Sequence, residues 1–176
     1  FLFYPIIVKS YNVSKEKLIA ILHVALKIIV SITLPLCFGG TVLSSKIITF
    51  IFGSGFESAA NILQIAMWFV LLTTINGVYC VGLIGIGQEK IFSRNMLIGT
   101  VIQIVFIVLG IMLYRTQGAA SGFLLGEIVM LFLMMRDFGK LVPLRIVNLF
   151  LKPTIATVAM FLVLYVTSGL EFLLQM

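Results

Sequence analysis

Long apolar runs separated by short charged loops limit what this chain can become. The first full run, 18–43, is about 26 residues long and carries two basic side chains, His23 and Lys27. Runs at 62–85, 96–114 and 119–135 follow, and a last one covers 153–170. Each is near the length of about 20 residues that takes an α-helix through the hydrocarbon of a bilayer. The chain therefore reads as all-α, a polytopic bundle of transmembrane helices. Composition agrees, because 10% of residues are charged and 61% hydrophobic, whereas about a quarter are charged in ordinary soluble domains.

The residues between the runs refine that picture. Residues 1–8 read as the tail of a further span with Pro5 near its end, so the sequence is expected to be the C-terminal membrane region of a longer protein. Ser14 is placed to cap the helix that follows it. Within 18–43, Pro35 removes a backbone donor and is expected to kink the helix, and Gly39 and Gly40 to loosen its last turn. Ile47 to Phe52 then reads as a separate short helix in the membrane interface. The loop Phe52-Gly53-Ser54-Gly55-Phe56-Glu57 leads into a run that carries Asn76 and ends at Gly82, Gly85 and Gly87. A short turn, Arg115-Thr116-Gln117-Gly118, joins the next two runs, and Pro153 suits the first turn of the last.

Alternate loops differ in charge. Lys9, Lys15, Lys17, Lys90, Arg94, Arg136, Lys140, Arg145 and Lys152 fall on one side of the membrane, Lys46 and Arg115 on the other. Basic residues close to span ends stay in the cytoplasm. The N-terminal stub is thus expected to end in the cytoplasm, with the Phe52–Glu57 loop and the C-terminus outside. The net charge of +6 is accounted for by topology, and no basic face suggests a nucleic-acid partner.

Three ionisable groups fall inside runs: His23, Lys27 and Glu127. Such groups usually face one another or a polar cavity. His23 and Lys27 lie four apart on one helix face, and Lys27 and Glu127 both fall roughly 12 Å or more into their runs, deep enough to pair. The alternative for Lys27 is a side chain that snorkels to the cytoplasmic interface. Asn76, Thr73, Thr74, Gln64 and Gln103 are candidates for lining a polar path, or equally for hydrogen bonds between helices. Gly118, Gly122 and Gly126 form a repeated small-residue spacing that admits a closely packed helix. No paired carboxylates, no Ser/His/Asp set and no metal-ligand spacing occurs, so neither a catalytic residue, a metal nor a cofactor is expected. Cys37 and Cys80 sit in apolar runs as small hydrophobes.

Several motifs taken in order resemble a known family. They are Phe3-Tyr4-Pro5, the basic loop, Leu34-Pro35, the stretch IITFIFGSGFESAANILQI, Asn76 followed by Leu83-Ile84-Gly85 and Gln88-Glu89-Lys90, and Gln117-Gly118-Ala119-Ala120 with Glu127. This set is similar to the Wzx-type polysaccharide flippases for O-antigen, capsule and teichoic acid, in the superfamily that includes MATE exporters and MurJ. The resemblance implies two six-helix lobes around a cavity, of which this chain is part of the C-terminal lobe, the N-terminal lobe being absent. It implies alternating access and a lipid-linked oligosaccharide as substrate, flipped across the inner (plasma) membrane for cell-surface polysaccharide biosynthesis. Membrane lipid and the missing lobe are the other partners expected. Lys27 is the basic residue deep enough to face the substrate diphosphate, with Glu127, His23, Asn76 and Gln103 as further cavity candidates. Two positions depart from the family pattern: Gln103 stands about where relatives often carry Asn, and Tyr114-Arg115-Thr116-Gln117-Gly118 replaces the commoner Tyr-Gly turn. The rival reading is a membrane scaffold or anchor subunit that holds a polysaccharide assembly enzyme. A membrane glycosyltransferase is a third, and would need a charged catalytic loop.

Overall fold

The computed structural model describes residues 14–142 and 153–158. The expected span at 1–8 and most of the one at 153–170 lie outside them, as do Lys9, Arg145 and Lys152. Among the described residues all regular structure is helical, in three main helices: α1 (Lys15–Phe52), α2 (Ala59–Gly85) and α3 (Glu89–Leu141). A single 3-10 turn, Ser54–Phe56, links the first two. The main helices are long and apolar enough to cross a membrane, and this is a membrane protein.

Helix α1 starts as its cap dictates. Ser14 is extended (φ −165°, ψ 151°) and its Oγ accepts the Lys17 amide at 3.2 Å, satisfying one of the amides that the first turn leaves without a partner. The helix then runs for 38 residues, roughly 57 Å at 1.5 Å per residue. This corrects the expectation of a loosened turn at Gly39 and Gly40 and of a separate interfacial helix at 47–52. Pro35 forfeits one backbone hydrogen bond, whereas ending the helix there would expose several carbonyls where lipid offers no partner. Gly40 serves packing instead. A Cβ on Gly40 would collide with the Met67 side chain of α2, and close by the Cys37 thiol donates to the Met67 carbonyl at 2.8 Å. The helix stops at Gly53, whose φ of 86° and amide bond to Thr49 O at 3.0 Å close the last turn.

Helix α2 is central and packs on both α1 and α3. Leu18, Leu22, Leu26, Val30, Leu34 and Cys37 form the buried stripe of α1, at steps of three and four. Against them stand Leu71, Ile75, Val78, Tyr79 and Leu83 of α2. The opposite face of α1 is equally apolar but exposed, with Val24, Ile28, Ile32 and Leu36. A helix apolar all round is one enclosed by lipid or by further helices. Packing and interhelical hydrogen bonds, more than expulsion of water, then hold such helices together.

Helix α3 is two helices in one. At Tyr114 (φ −133°, ψ 17°) and Arg115 (φ 53°, ψ −127°) its backbone leaves helical geometry, and residues 89–113 and 116–141 fold back on each other as antiparallel arms. Glycine makes the contact. A Cβ on Gly110 would strike the Gly118 carbonyl, one on Gly118 the Gly110 carbonyl, and one on Gly122 the Phe106 carbonyl. Further along, Gly126 faces Gln103 and Gly99 faces Met130, so steps of three or four on one arm answer steps of four on the other. The second arm packs against α2. The first is apolar on its uncovered side, with Leu97, Val101, Val105, Val108 and Met112 exposed.

Two substitutions test this arrangement by thermal unfolding in detergent. Gly122→Val, which places branched carbons against the Phe106 backbone, is expected to cost about 3 kcal/mol, the upper part of the range for overpacking. Arg115→Gly is expected to stabilise by about 1 kcal/mol, because Arg115 occupies a positive φ that glycine adopts without strain.

Candidate functional site

A buried polar contact joins α2 to the second arm of α3 inside the apolar bundle. Asn76 on α2 is placed roughly 13 Å from the Gly85 end of its helix, facing the second arm of α3, and its Nδ2 donates to Glu127 Oε1 at 2.7 Å. Both residues are buried, with relative exposures of 7% and 6%. The face is set by neighbours at helical spacing: Ile75 and Tyr79 beside Asn76, Gly126 and Met130 beside Glu127. Gly126, tucked against Gln103, allows the second arm to present Glu127 to α2 rather than to lipid. Asn76 Oδ1 has no partner among the described residues, and neither has the Tyr79 hydroxyl one turn further along α2; both are buried. Tyr79 is held edge-on against Phe138, with ring centroids 5.5 Å apart.

The other sequence candidates separate from this pair. Lys27 is exposed on the outer face of α1, the face of Val24 and Ile28. It does not meet Glu127, which corrects the expected pairing. The cause is rotational: Leu22, Leu26 and Val30 turn toward α2, and this carries Lys27 to the other side of the helix. His23 is half-buried on α1. Gln103 is spent within the hairpin, its Nε2 donating to Phe123 O at 3.1 Å. Gln64 bridges α2 to α1, donating to Ser44 Oγ at 3.0 Å, and Thr74 bonds back to its own helix at Val70 O and Leu71 O. Among the candidates, Asn76 and Glu127 are thus brought together. Gly118, Gly122 and Gly126 all lie in the hairpin contact.

A second polar group lies outside the sequence candidates, where Arg94 and Lys140 count only as loop charges. At the end of the hairpin remote from Arg115, Asp137 of the second arm accepts from Arg94 Nη2 at 2.5 Å and from Lys140 Nζ at 2.9 Å. Asn95 Nδ2 donates to the same carboxylate at 3.2 Å and to Leu133 O at 3.3 Å. The Asp137 side chain is 9% exposed, those of Arg94 and Lys140 59% and 61%. Asn95 is fully buried, tying the first arm to the second. The signal was available in the hairpin itself. Counting back equally from the turn sets Arg94 and Asn95 opposite the turn of helix that carries Asp137.

Nothing here assembles a metal site, since no three His, Cys, Asp or Glu side chains converge among the described residues. An apolar cleft of about 340 Å³ between α2 and the hairpin is lined by Ile62, Ala66, Phe69, Ala119 and Phe123 among others, and offers no polar group to orient a ligand.

The Asn76–Glu127 contact makes two predictions for unfolding in mixed detergent micelles. Asn76→Leu leaves the Glu127 carboxyl buried without its donor and is expected to cost about 2 kcal/mol, whereas Asn76→Leu combined with Glu127→Leu recovers most of that loss. A double-mutant cycle on Lys27 and Glu127 is expected to give a coupling below about 0.5 kcal/mol, the limit within which separated sites add. Comparison of the chain with protein-family models, with curated proteins and with solved structures finds no match in any of the three.

Proposed function

We propose that the protein translocates a polyprenyl-diphosphate-linked oligosaccharide across the membrane for cell-surface polysaccharide biosynthesis, working by alternating access. The observation that carries this reading is the buried Asn76–Glu127 pair, with the unpartnered Asn76 Oδ1 in it. A carboxyl and an amide inside apolar helices cost free energy and mark sites where polar cargo or protons are handled. The ordered set of family-like motifs, from Leu34-Pro35 to Gln117-Gly118-Ala119-Ala120, supports the same reading.

On this proposal the chain is part of the C-terminal lobe of a two-lobe transporter in the inner (plasma) membrane. The ends bearing Lys17, Lys90, Arg94 and Lys140 face the cytoplasm. The uncovered face of α1 that carries Lys27 borders the transport path, where Lys27 neutralises the substrate diphosphate. Glu127 and Asn76 support the helix pair behind it and exchange hydrogen bonds as the lobe rocks. The hairpin of α3 moves as one body, because glycine packing holds it along its length and Asp137 ties its open end. Rocking of such bodies about a site near the midplane is a recurrent way to alternate access.

The test is complementation of flippase-deficient cells by the full-length protein, read as surface polysaccharide and as lipid-linked oligosaccharide reaching the outer leaflet. Lys27→Ala is expected to slow translocation about 10-fold to 100-fold, as loss of one charge-assisted contact of about 1.5–3 kcal/mol implies. Translocation at the wild-type rate and expression level by that variant would remove Lys27 from the mechanism. If cells lacking the protein still translocate but lose an assembly enzyme from the membrane, the scaffold reading replaces the flippase.

A further inference from the structure

The cluster around Asp137 does more than close the hairpin. One nearly buried carboxylate grips two cations from two different arms, Arg94 at 2.5 Å and Lys140 at 2.9 Å. Charge there does not balance, since two positive groups answer one negative one. More than half of each basic side chain remains exposed, so the cations are held in place yet open on their outer side. Two further exposed bases stand one helical turn away, Lys90 before Arg94 and Arg136 before Lys140. Two cations contact the one buried carboxylate, and two more stand a helical turn from them, with Glu89 beside Lys90 as the other acid at this end.

Below each basic group runs an exposed apolar stripe on the same helix face. Arg94 heads Leu97, Val101 and Val105 on the first arm, and Arg136 heads Phe132, Ile128 and Leu125 on the second. Lipid chains lying along those stripes would bring their head groups to the level of the cations. We propose that the Arg94–Asp137–Lys140 cluster is a binding site for the head group of an anionic phospholipid, with Asp137 and Asn95 fixing the orientation of the cations that receive the phosphate. A guanidinium and an ammonium together suit a phosphodiester: the first offers a planar pair of donors, the second a compact charge. A zwitterionic head group brings its own cation into the same crowded positive field and is disfavoured. This inference does not rest on the transport reading, because it needs only the geometry of the hairpin end.

The experiment is native mass spectrometry of the full-length protein released from nanodiscs that contain equal amounts of palmitoyl-oleoyl phosphatidylglycerol and phosphatidylcholine. Wild-type protein is expected to retain phosphatidylglycerol in preference. Arg94→Gln with Lys140→Gln is expected to lower that preference about 30-fold, two basic residues at about 1 kcal/mol each. Because those changes also disturb the Asp137 contacts, Lys90→Gln with Arg136→Gln provides a variant that leaves them intact, and it too is expected to weaken retention. Lys46→Gln with Arg115→Gln, at the opposite end of the helices, is expected to have no effect. Equal retention of both lipids by wild-type protein, or an equal loss from the Lys46 and Arg115 changes, would overturn the site. Displacement of phosphatidylglycerol by inorganic phosphate at comparable concentration would show a free-anion site instead and overturn the assignment to lipid.

Discussion

Two helical backbones meet directly at Gly110 and Gly118, and the layout beyond α2 depends on that meeting. With no side chain between them, the arms of α3 approach until carbonyl oxygens fill the space a Cβ would take. Dispersion contacts at that range are what lipid cannot replace, since lipid competes with side chains as an apolar surface but not with the fit between two backbones. The contact also fixes register. Once Gly110 faces Gly118, the equal rise of the two arms sets Phe106 against Gly122, Gln103 against Gly126 and Asn95 against Leu133. The polar groups at the middle and at the end of the hairpin are located by a contact that contains no polar side chain.

From that register follows the division of labour among charges. Glu127 lies one residue beyond a glycine buried in the hairpin seam, which turns its carboxyl away from the first arm and toward Asn76. Asp137 lies further along the same arm, beyond the apolar stretch, and meets cations where water and head groups reach them. The two acids of the second arm thus have opposite settings. One is enclosed among apolar helices with a neutral amide as partner, and the other stands at a boundary among an excess of positive charge.

Much of this architecture was legible in the sequence, and what was not has a physical cause. The all-helical class, the Ser14 cap and the turn near Arg115 follow from local rules of apolar length, capping and chain reversal, whereas the first helix runs on to Phe52, past the expected end at 43. The Gly118, Gly122 and Gly126 spacing announced a close helix contact on the correct arm, but its partner positions Gly110, Phe106 and Gln103 carried no motif. Gly39 and Gly40 misled because a glycine pair reads as a weak turn in a lone helix, whereas Gly40 is a packing surface for Met67 of the next one. The pairing of Lys27 with Glu127 failed for a different reason. Depth along the membrane can be counted from a sequence, whereas rotation about the helix axis depends on which of two equally apolar faces finds a protein partner. On α1 both faces are rich in Leu, Ile and Val, so composition could not tell which would be covered.

The tight tip at Tyr114 and Arg115 also governs how the hairpin is made. With so few residues between the arms there is no slack for one to be placed in the bilayer and the other to follow at leisure, so they enter as a pair. In the orientation proposed above the tip is the part that crosses, and it carries one guanidinium. Passage of an arginine through the centre costs about 2.5–3.5 kcal/mol on the scale set by the insertion machinery, while each Leu, Ile, Val or Phe returns about 0.3–0.6. The first arm holds a dozen such residues between 97 and 113, worth roughly 4 to 7 kcal/mol together. The apolar content of the leading arm therefore offsets the passage of Arg115, while Glu127 on the second arm waits for α2 to bring Asn76 to it.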